Sequence, residues 1–283
     1  MNKRPFLLWF STPAVVLAAV YCLALFMILQ YSFREFIPGS LNVGPWTLAN
    51  LNYIARPVFL NVFYDTVVIS AWTAGITLLV AYPIAYALVR TRSNLIRATI
   101  LIIAITPLFT GEIARTYSWI IVLGNNGFIN AMLLAMNIIE RPLQMMFTTF
   151  GVVVVLVHFT LPIMVIILAT ALSHIEPNYE KAAESLGADP IRAFLTVTLP
   201  LSAPGIVAGL MTCFAWTFSA FATPQLIGGG QINMIGNLVY QLGIAGFNYP
   251  LAAILSLAGI VLTLVVVAIL KLALRPLEKA AAH

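Results

Sequence analysis

An all-α integral membrane bundle with six spanning helices is the fold that this 283-residue sequence predicts, and three observations predict it. The chain is 61% hydrophobic and only 8% charged, whereas an ordinary soluble domain carries roughly 25% charged residues. Its mean hydropathy is +1.01. The apolar residues also come in long blocks, without the period-2 or period-3.6 alternation of elements that face water on one side. Six blocks, at about 7–32, 66–90, 97–121, 149–172, 203–222 and 250–271, reach the roughly 20 residues needed to cross the hydrocarbon. They are too long and too evenly apolar for barrel strands. Residues 1–283 read as one transmembrane domain.

The first block follows Lys3 and Arg4, as a secretory signal would. Its apolar run exceeds that of a signal, and no small-x-small cleavage site precedes the polar residues, so it reads as a retained anchor. The second block begins beside Asp65 and contains Pro83; the third is interrupted by Pro107, Gly111, Glu112 and Arg115; the fourth contains His158 and Pro162. Each proline removes a helix hydrogen bond and is expected to bend its helix. Lipid gives helices no hydrophobic reason to associate, so small residues that let backbones approach mark contact faces. Gly205 and Gly209 form a G-x-x-x-G pair in the fifth block, with Ala71–Gly75 and Ala81–Ala85 as weaker versions in the second. Cys22 and Cys213 lie within apolar blocks and read as inert core thiols rather than a disulfide framework.

Lys and Arg gather on the cytoplasmic side of membrane proteins. With the N-terminus inside, ten of the fourteen basic residues (Lys3, Arg4, Arg90, Arg92, Arg97, Lys181, Arg192, Lys271, Arg275 and Lys279) fall in the cytoplasm. Both termini and the 173–202 loop are therefore expected inside, with outer connections at about 33–65, 122–148 and 223–249. The last of these has six glycines and no charge, and suits either a helix pair capping the bundle or a segment that gates it. The net charge of +5 arises in loops and gives no reading of nucleic-acid binding.

One polar island interrupts this pattern. Glu180, Lys181, Glu184, Asp189 and Arg192 fall within thirteen positions between the fourth and fifth blocks. Pro177 suits the first turn of a helix and Gly187 its end. Ile175, Tyr179, Ala182, Ala183 and Leu186 share one face of that helix at 3–4 residue spacing. Asp189–Pro190 reads as an N-cap and first helical residue of a second short helix, with Ile191, Phe194, Leu195 and Thr198 on one side. The stretch "LPLSAPG" then ends it. Glu176, Glu180 and Glu184 repeat every four residues, a spacing at which like charges repel by a few tenths of a kcal/mol. Such a stripe suits a solvated face or a knob that docks into a partner's basic cleft.

The stretch "KAAESLGADPIRAFLTVTLPLSAPGI" (181–206) closely resembles the EAA loop of ABC-importer permeases, the E-A-A-x-x-x-G…L-P pattern of their cytoplasmic coupling helices. Ala182, Ala183, Gly187, Leu199 and Pro200 fall in register with it. Lys181 stands where that family carries its acidic residue, and Glu180 comes one position early. By the resemblance, Glu180, Lys181, Ala182, Ala183, Glu184, Gly187, Leu199 and Pro200 form the ATPase-coupling loop, with Glu180 and Lys181 alternative polar contacts. Two further stretches, "TPLFTGEIARTYSWIIVLGNNGFIN" (106–130) and "FATPQLIGGGQINMIGNLVYQ" (221–241), resemble the polyamine-type (spermidine/putrescine) permeases. The resemblance implies a type I ABC-importer (MetI-like) bundle, multi-pass in a bacterial inner membrane. It implies a second, related permease chain, two ATPase subunits docked on 176–200, and a periplasmic solute-binding protein. ATP and Mg would be bound by the ATPase, with no cofactor in this chain. The cargo it implies is a small cation such as putrescine or spermidine, or else an opine, an amino-acid-like amine or an aminoalkylphosphonate. Closure of the ATPases would swing spans four and five.

The residues themselves disfavour an enzyme. No G-x-x-x-x-G-K-[ST] phosphate loop surrounds any of the lysines, and His158 lacks a second histidine or acid at metal-ligand spacing. His158 on its apolar helix reads as a buried hydrogen-bonding residue. A passive channel or ion-driven carrier, the rival class, has no use for a cytoplasmic helix-corner-helix. Ionisable groups within the membrane are costly and raise a functional hypothesis. Glu112 can pair with Arg115 at i,i+3, or it can face the path and meet a cationic amine. Tyr117, Trp119, Trp216 and Phe221 could add cation–π attraction, worth roughly 0.5–2 kcal/mol each. Asp65 is a further candidate.

Overall fold

The computed structural model of the chain describes residues 4–39 and 44–280, with side chains described for 12–39 and 44–275. Lys3 lies outside the described residues, and Arg4 and Lys279 lie where side chains are not described. Twelve helices carry the architecture: α1 (Arg4–Leu29), α2 (Pro57–Arg90), α3 (Asn94–Ile105), α4 (Glu112–Leu123), α5 (Phe128–Ala135), α6 (Thr149–Ser173), α7 (Pro177–Ser185), α8 (Pro190–Leu201), α9 (Ala203–Phe218), α10 (Ala222–Ile227), α11 (Ile235–Ala245) and α12 (Tyr249–Ala280). Five stretches are long and apolar enough to cross a membrane, and the bent pair α8–α9 brings the number to as many as six.

The third span differs from its expected limits. The block 97–121 breaks at Thr110–Gly111, after a tight turn that contains Pro107. Proline cannot supply the next helix hydrogen bond, and Thr110 adopts extended backbone that Gly111 continues. The apolar helical stretch of spanning length is instead Glu112–Ala135, and α3 is a short apolar helix. Pro83 and Pro162, by contrast, lie inside continuous helices.

The chain divides into two compact units. In the first (Met1–Asn61 and Leu238–Val261), the Asn50 amide donates to the carbonyls of Ser32 and Arg34 at 3.0 and 2.7 Å, closing the loop after α1. Residues 12–28 of α1 are exposed along their whole length, Cys22 among them, so that thiol is not a core residue. An apolar helix so exposed is stable only with lipid or protein around it.

The second unit (Val62–Asn237 and Leu262–His283) holds the larger core. Helix α6 starts at Thr148, whose hydroxyl caps the Gly151 amide at 3.2 Å, and buries Val152, Val155, Leu156, Met164, Leu168 and Leu172. Its contact with α9 rests on the predicted glycines. A Cβ on Gly205 would meet the Ala171 methyl at 2.3 Å, and one on Gly209 the Met164 sulfur at 2.4 Å. Ala81 and Ala85 are fully buried on α2, but a Cβ on Gly75 would meet nothing, so Ala71–Gly75 is not a contact of this kind. Thr77 and Thr160 join α2 to α6 through a 2.9 Å hydroxyl–hydroxyl bond, the polar glue expected where apolar burial adds little. Cys213 is buried. The charge-free stretch is packed: Ile227, Met234 and Asn237 are fully buried, and the Ile235 amide donates to the Thr66 hydroxyl at 2.9 Å.

Candidate functional sites

The polar island folds as its residues dictate. Pro177 opens α7, and Gly187 leaves it with φ +95°, a conformation that costs an L side chain about 1–2 kcal/mol and glycine nothing. Asp189 then caps α8, its carboxylate accepting from the Arg192 amide at 2.8 Å. Helix α8 meets α9 at a 64° bend around Ser202.

The side chains are disposed differently from the expectation. Glu180 does not share a free stripe with Glu176 and Glu184; it turns back onto α2. Its carboxylate pairs with the Arg90 guanidinium at 3.2 Å and accepts from the Tyr86 hydroxyl at 3.3–3.4 Å and from the Thr198 hydroxyl. Both ionic side chains are only 16% exposed. Lys181, Ala182 and Glu184 are exposed, Ala183, Leu199 and Pro200 half-buried. The residues expected to share one face differ in burial: Ile175 is buried, but Tyr179 is 52% and Leu186 90% exposed. Ile191 and Leu195 of α8 are likewise exposed, while Phe194 and Thr198 pack inward. The corner thus exposes a cluster of apolar side chains among charged neighbours, the kind of patch found at interaction surfaces. Arg90, Tyr86, Tyr82 and Ser202 belong to this site and escaped the sequence reading; the i, i+4, i+8 spacing of the first three on α2 was the available signal.

Four of the six solute-path candidates line two cavities. Glu112, Trp216 and Phe221 converge on a small cavity of about 80 Å³, together with Phe159, Thr160 and Thr217. Glu112 forms no ion pair with Arg115; among the described residues the ion pair is Arg90–Glu180. Arg115 instead lies over the Phe159 ring at 4.1 Å and donates to the Thr110 carbonyl at 3.4 Å. It lines a second cleft of about 300 Å³ with Thr106, Thr110, Ser118, Trp119 and His158. There the Trp119 indole N–H donates to His158 Nδ1 at 3.2 Å, so His158 is the hydrogen-bonding residue that its sequence context suggested. Tyr117 and Asp65 are exposed and line neither cavity.

A bundle of this kind, with a capped helix-corner-helix between its fourth and fifth spans, defines the membrane component of an import system. The chain belongs to the family of binding-protein-dependent transport system inner membrane components, whose model matches residues 78–283. It is an inner-membrane permease, not the ATP-hydrolysing part of such a system. It is similar to the spermidine/putrescine transport system permease protein PotB of Haemophilus influenzae, 28% identical over 236 residues, which is 83% of this chain and 82% of that one. It is also similar to the inner membrane ABC transporter permease protein YdcU of Escherichia coli K12, 29% identical over 280 residues (94% and 86%). Among solved structures, it shares its MetI-like permease fold with a bacterial ABC transporter that imports alginate. There the TM-score is 0.75 at 18% identity over 97% of this chain and 96% of that one. A bacterial alginate ABC transporter in complex with an alginate pentasaccharide-bound periplasmic protein gives a TM-score of 0.77 at 19% identity, over 98% and 96%.

Proposed function

We propose that this permease forms half of the path for a small organic cation, with putrescine and spermidine the leading solutes. The observation that carries the reading is Glu112: a carboxylate at the first residue of the span 112–135, lining a small cavity with Trp216, Phe221 and Phe159 and making no ion pair among the described residues. A carboxylate at the end of an apolar span is costly unless something neutralises it. An alkylammonium group does so, and the aromatic faces add cation–π attraction. The similarity to PotB supports the same solute class.

The rest of the machine follows from the loop. A second, related permease completes the path, a periplasmic binding protein delivers the solute, and two ATPase subunits holding ATP and Mg dock on the exposed corner at Lys181, Glu184 and Leu186. The N-terminus, the C-terminus and residues 173–202 lie in the cytoplasm. The test is uptake by the intact system in proteoliposomes. ATP-dependent accumulation of labelled putrescine or spermidine, not displaced by dicarboxylates or neutral sugars, is the expected result. Accumulation of a solute without a cationic group, or transport that persists without ATP, would overturn the reading.

A further inference from the structure

Helix α2 presents three side chains in a row to the polar loop. Tyr82 shares a 2.7 Å hydroxyl–hydroxyl bond with Ser202, the residue at the α8–α9 bend. Tyr82 and Tyr86 receive Phe194 edge-on, with ring centroids 5.6 and 5.4 Å away. One turn further, Arg90 donates to the Ile175 carbonyl at 3.1 Å and pairs with Glu180. The entry to α7, α7 itself, α8 and the bend are thus each fastened to one face of α2. Thr198, fully buried, donates to the same carboxylate. The turn Phe194–Thr198, which supplies two of these contacts, is widened to the π form, a distortion found mostly at functional positions.

The same helix is fastened at its other end to the charge-free stretch, through Thr66 and the amide of Ile235. From residue 66 to residue 90 a straight helix measures about 36 Å at 1.5 Å per residue.

We propose that Glu180 is a positioning residue rather than a docking residue, and that through Arg90, Tyr86 and Thr198 it makes α2 the rod that carries the movement of the loop to the charge-free stretch around Ile235. The proposal rests on the reading that the corner docks an ATPase. It adds that the surface gripped by that ATPase is Tyr179, Lys181, Glu184, Leu186 and Ile191, while Glu180 works from behind it. The stroke then reaches α2 as well as α6 and α9. An ion pair largely withdrawn from water, whose carboxylate also accepts from two hydroxyls, costs more to separate than an exposed one.

The experiment uses the complete transport complex, comparing recovery of the ATPase subunits, ATP hydrolysis and solute uptake. For Glu180→Gln and Arg90→Gln, recovery and basal hydrolysis are expected to stay near the parent level. Uptake driven by the binding protein is expected to fall about tenfold, the size of a typical coupling free energy. The exchanged pair Arg90→Glu with Glu180→Arg is expected to transport better than either single variant. Tyr86→Phe and Thr198→Val, which each remove one hydrogen bond and no charge, are expected to give intermediate uptake with full recovery. Loss of the ATPase from Glu180→Gln would make Glu180 a docking residue and overturn the proposal. So would parent-level uptake in Glu180→Gln, or in both hydroxyl variants. An exchanged pair no better than the singles would overturn it too, by showing that Glu180 acts otherwise than through Arg90. Leu186→Glu separates the two layers: it is expected to release the ATPase. If it does not, the docking reading itself fails, and the proposal falls with it.

Discussion

The polar 176–200 loop and the start of α4 each carry acidic and basic side chains close together, yet the two regions treat them in opposite ways. At the loop, Glu180 and Arg90 come from positions ninety residues apart and are brought to 3.2 Å, with two hydroxyls filling the remaining acceptor sites. At α4, Glu112 and Arg115 are three residues apart and do not pair; one lines a small aromatic cavity, the other lies on Phe159. The difference teaches which region is mechanical and which is left open. Charges paired within the chain hold elements together, whereas Glu112, without an ion pair among the described residues, is the carboxylate proposed to meet the solute.

The comparison breaks most easily at Glu112. Glu112→Gln is expected to lower putrescine uptake by at least about thirtyfold, about 2 kcal/mol, the lower end for removing one member of a desolvated charge pair. Normal Km and rate in that variant would show that the carboxylate meets no cation. Arg115 sharpens the contrast by its sign. Neutralising it in Arg115→Gln relieves repulsion of a cationic solute, so Km for putrescine should fall roughly fivefold, about 1 kcal/mol of Coulomb energy at an intermediate dielectric. A rise in Km would mean that Arg115 grips the solute itself. The smallest effect belongs to Asp65, exposed and outside both cavities: Asp65→Asn should leave uptake unchanged, and a large loss would move the solute path to the start of α2.

The parts of this picture that depend on near neighbours were legible in the sequence. The Pro177 start, the Gly187 corner and the Asp189 cap are local chemistry, and each is realised where its residues stand. The close α6–α9 contact at Gly205 and Gly209 was legible for the same reason, since only a small residue serves there. What depends on distant neighbours was not. Helical spacing shows that Tyr179 and Leu186 share a face with Ile175, but it cannot tell a face that packs on its own chain from one that another protein covers. Leu186, at 90% exposure, does not pack on its own chain. Glu180 looked like one of three equivalent glutamates because Arg90, Tyr86 and Thr198 reach it only in the folded chain. The block 97–121 was overextended because hydropathy sums across Thr110 and Gly111, where the backbone stops being helical.

The central claim is that an ATP-hydrolysing subunit grips the corner around Gly187. Replacing Cys22 and Cys213 and placing a single cysteine by Leu186→Cys allows that corner to be probed with a short thiol-to-amine cross-linker in the intact complex. The account predicts a cross-link to the ATPase subunit whose yield changes when nucleotide is bound. A cross-link to the periplasmic binding protein instead, or labelling of the cysteine only from the periplasmic side, would contradict it.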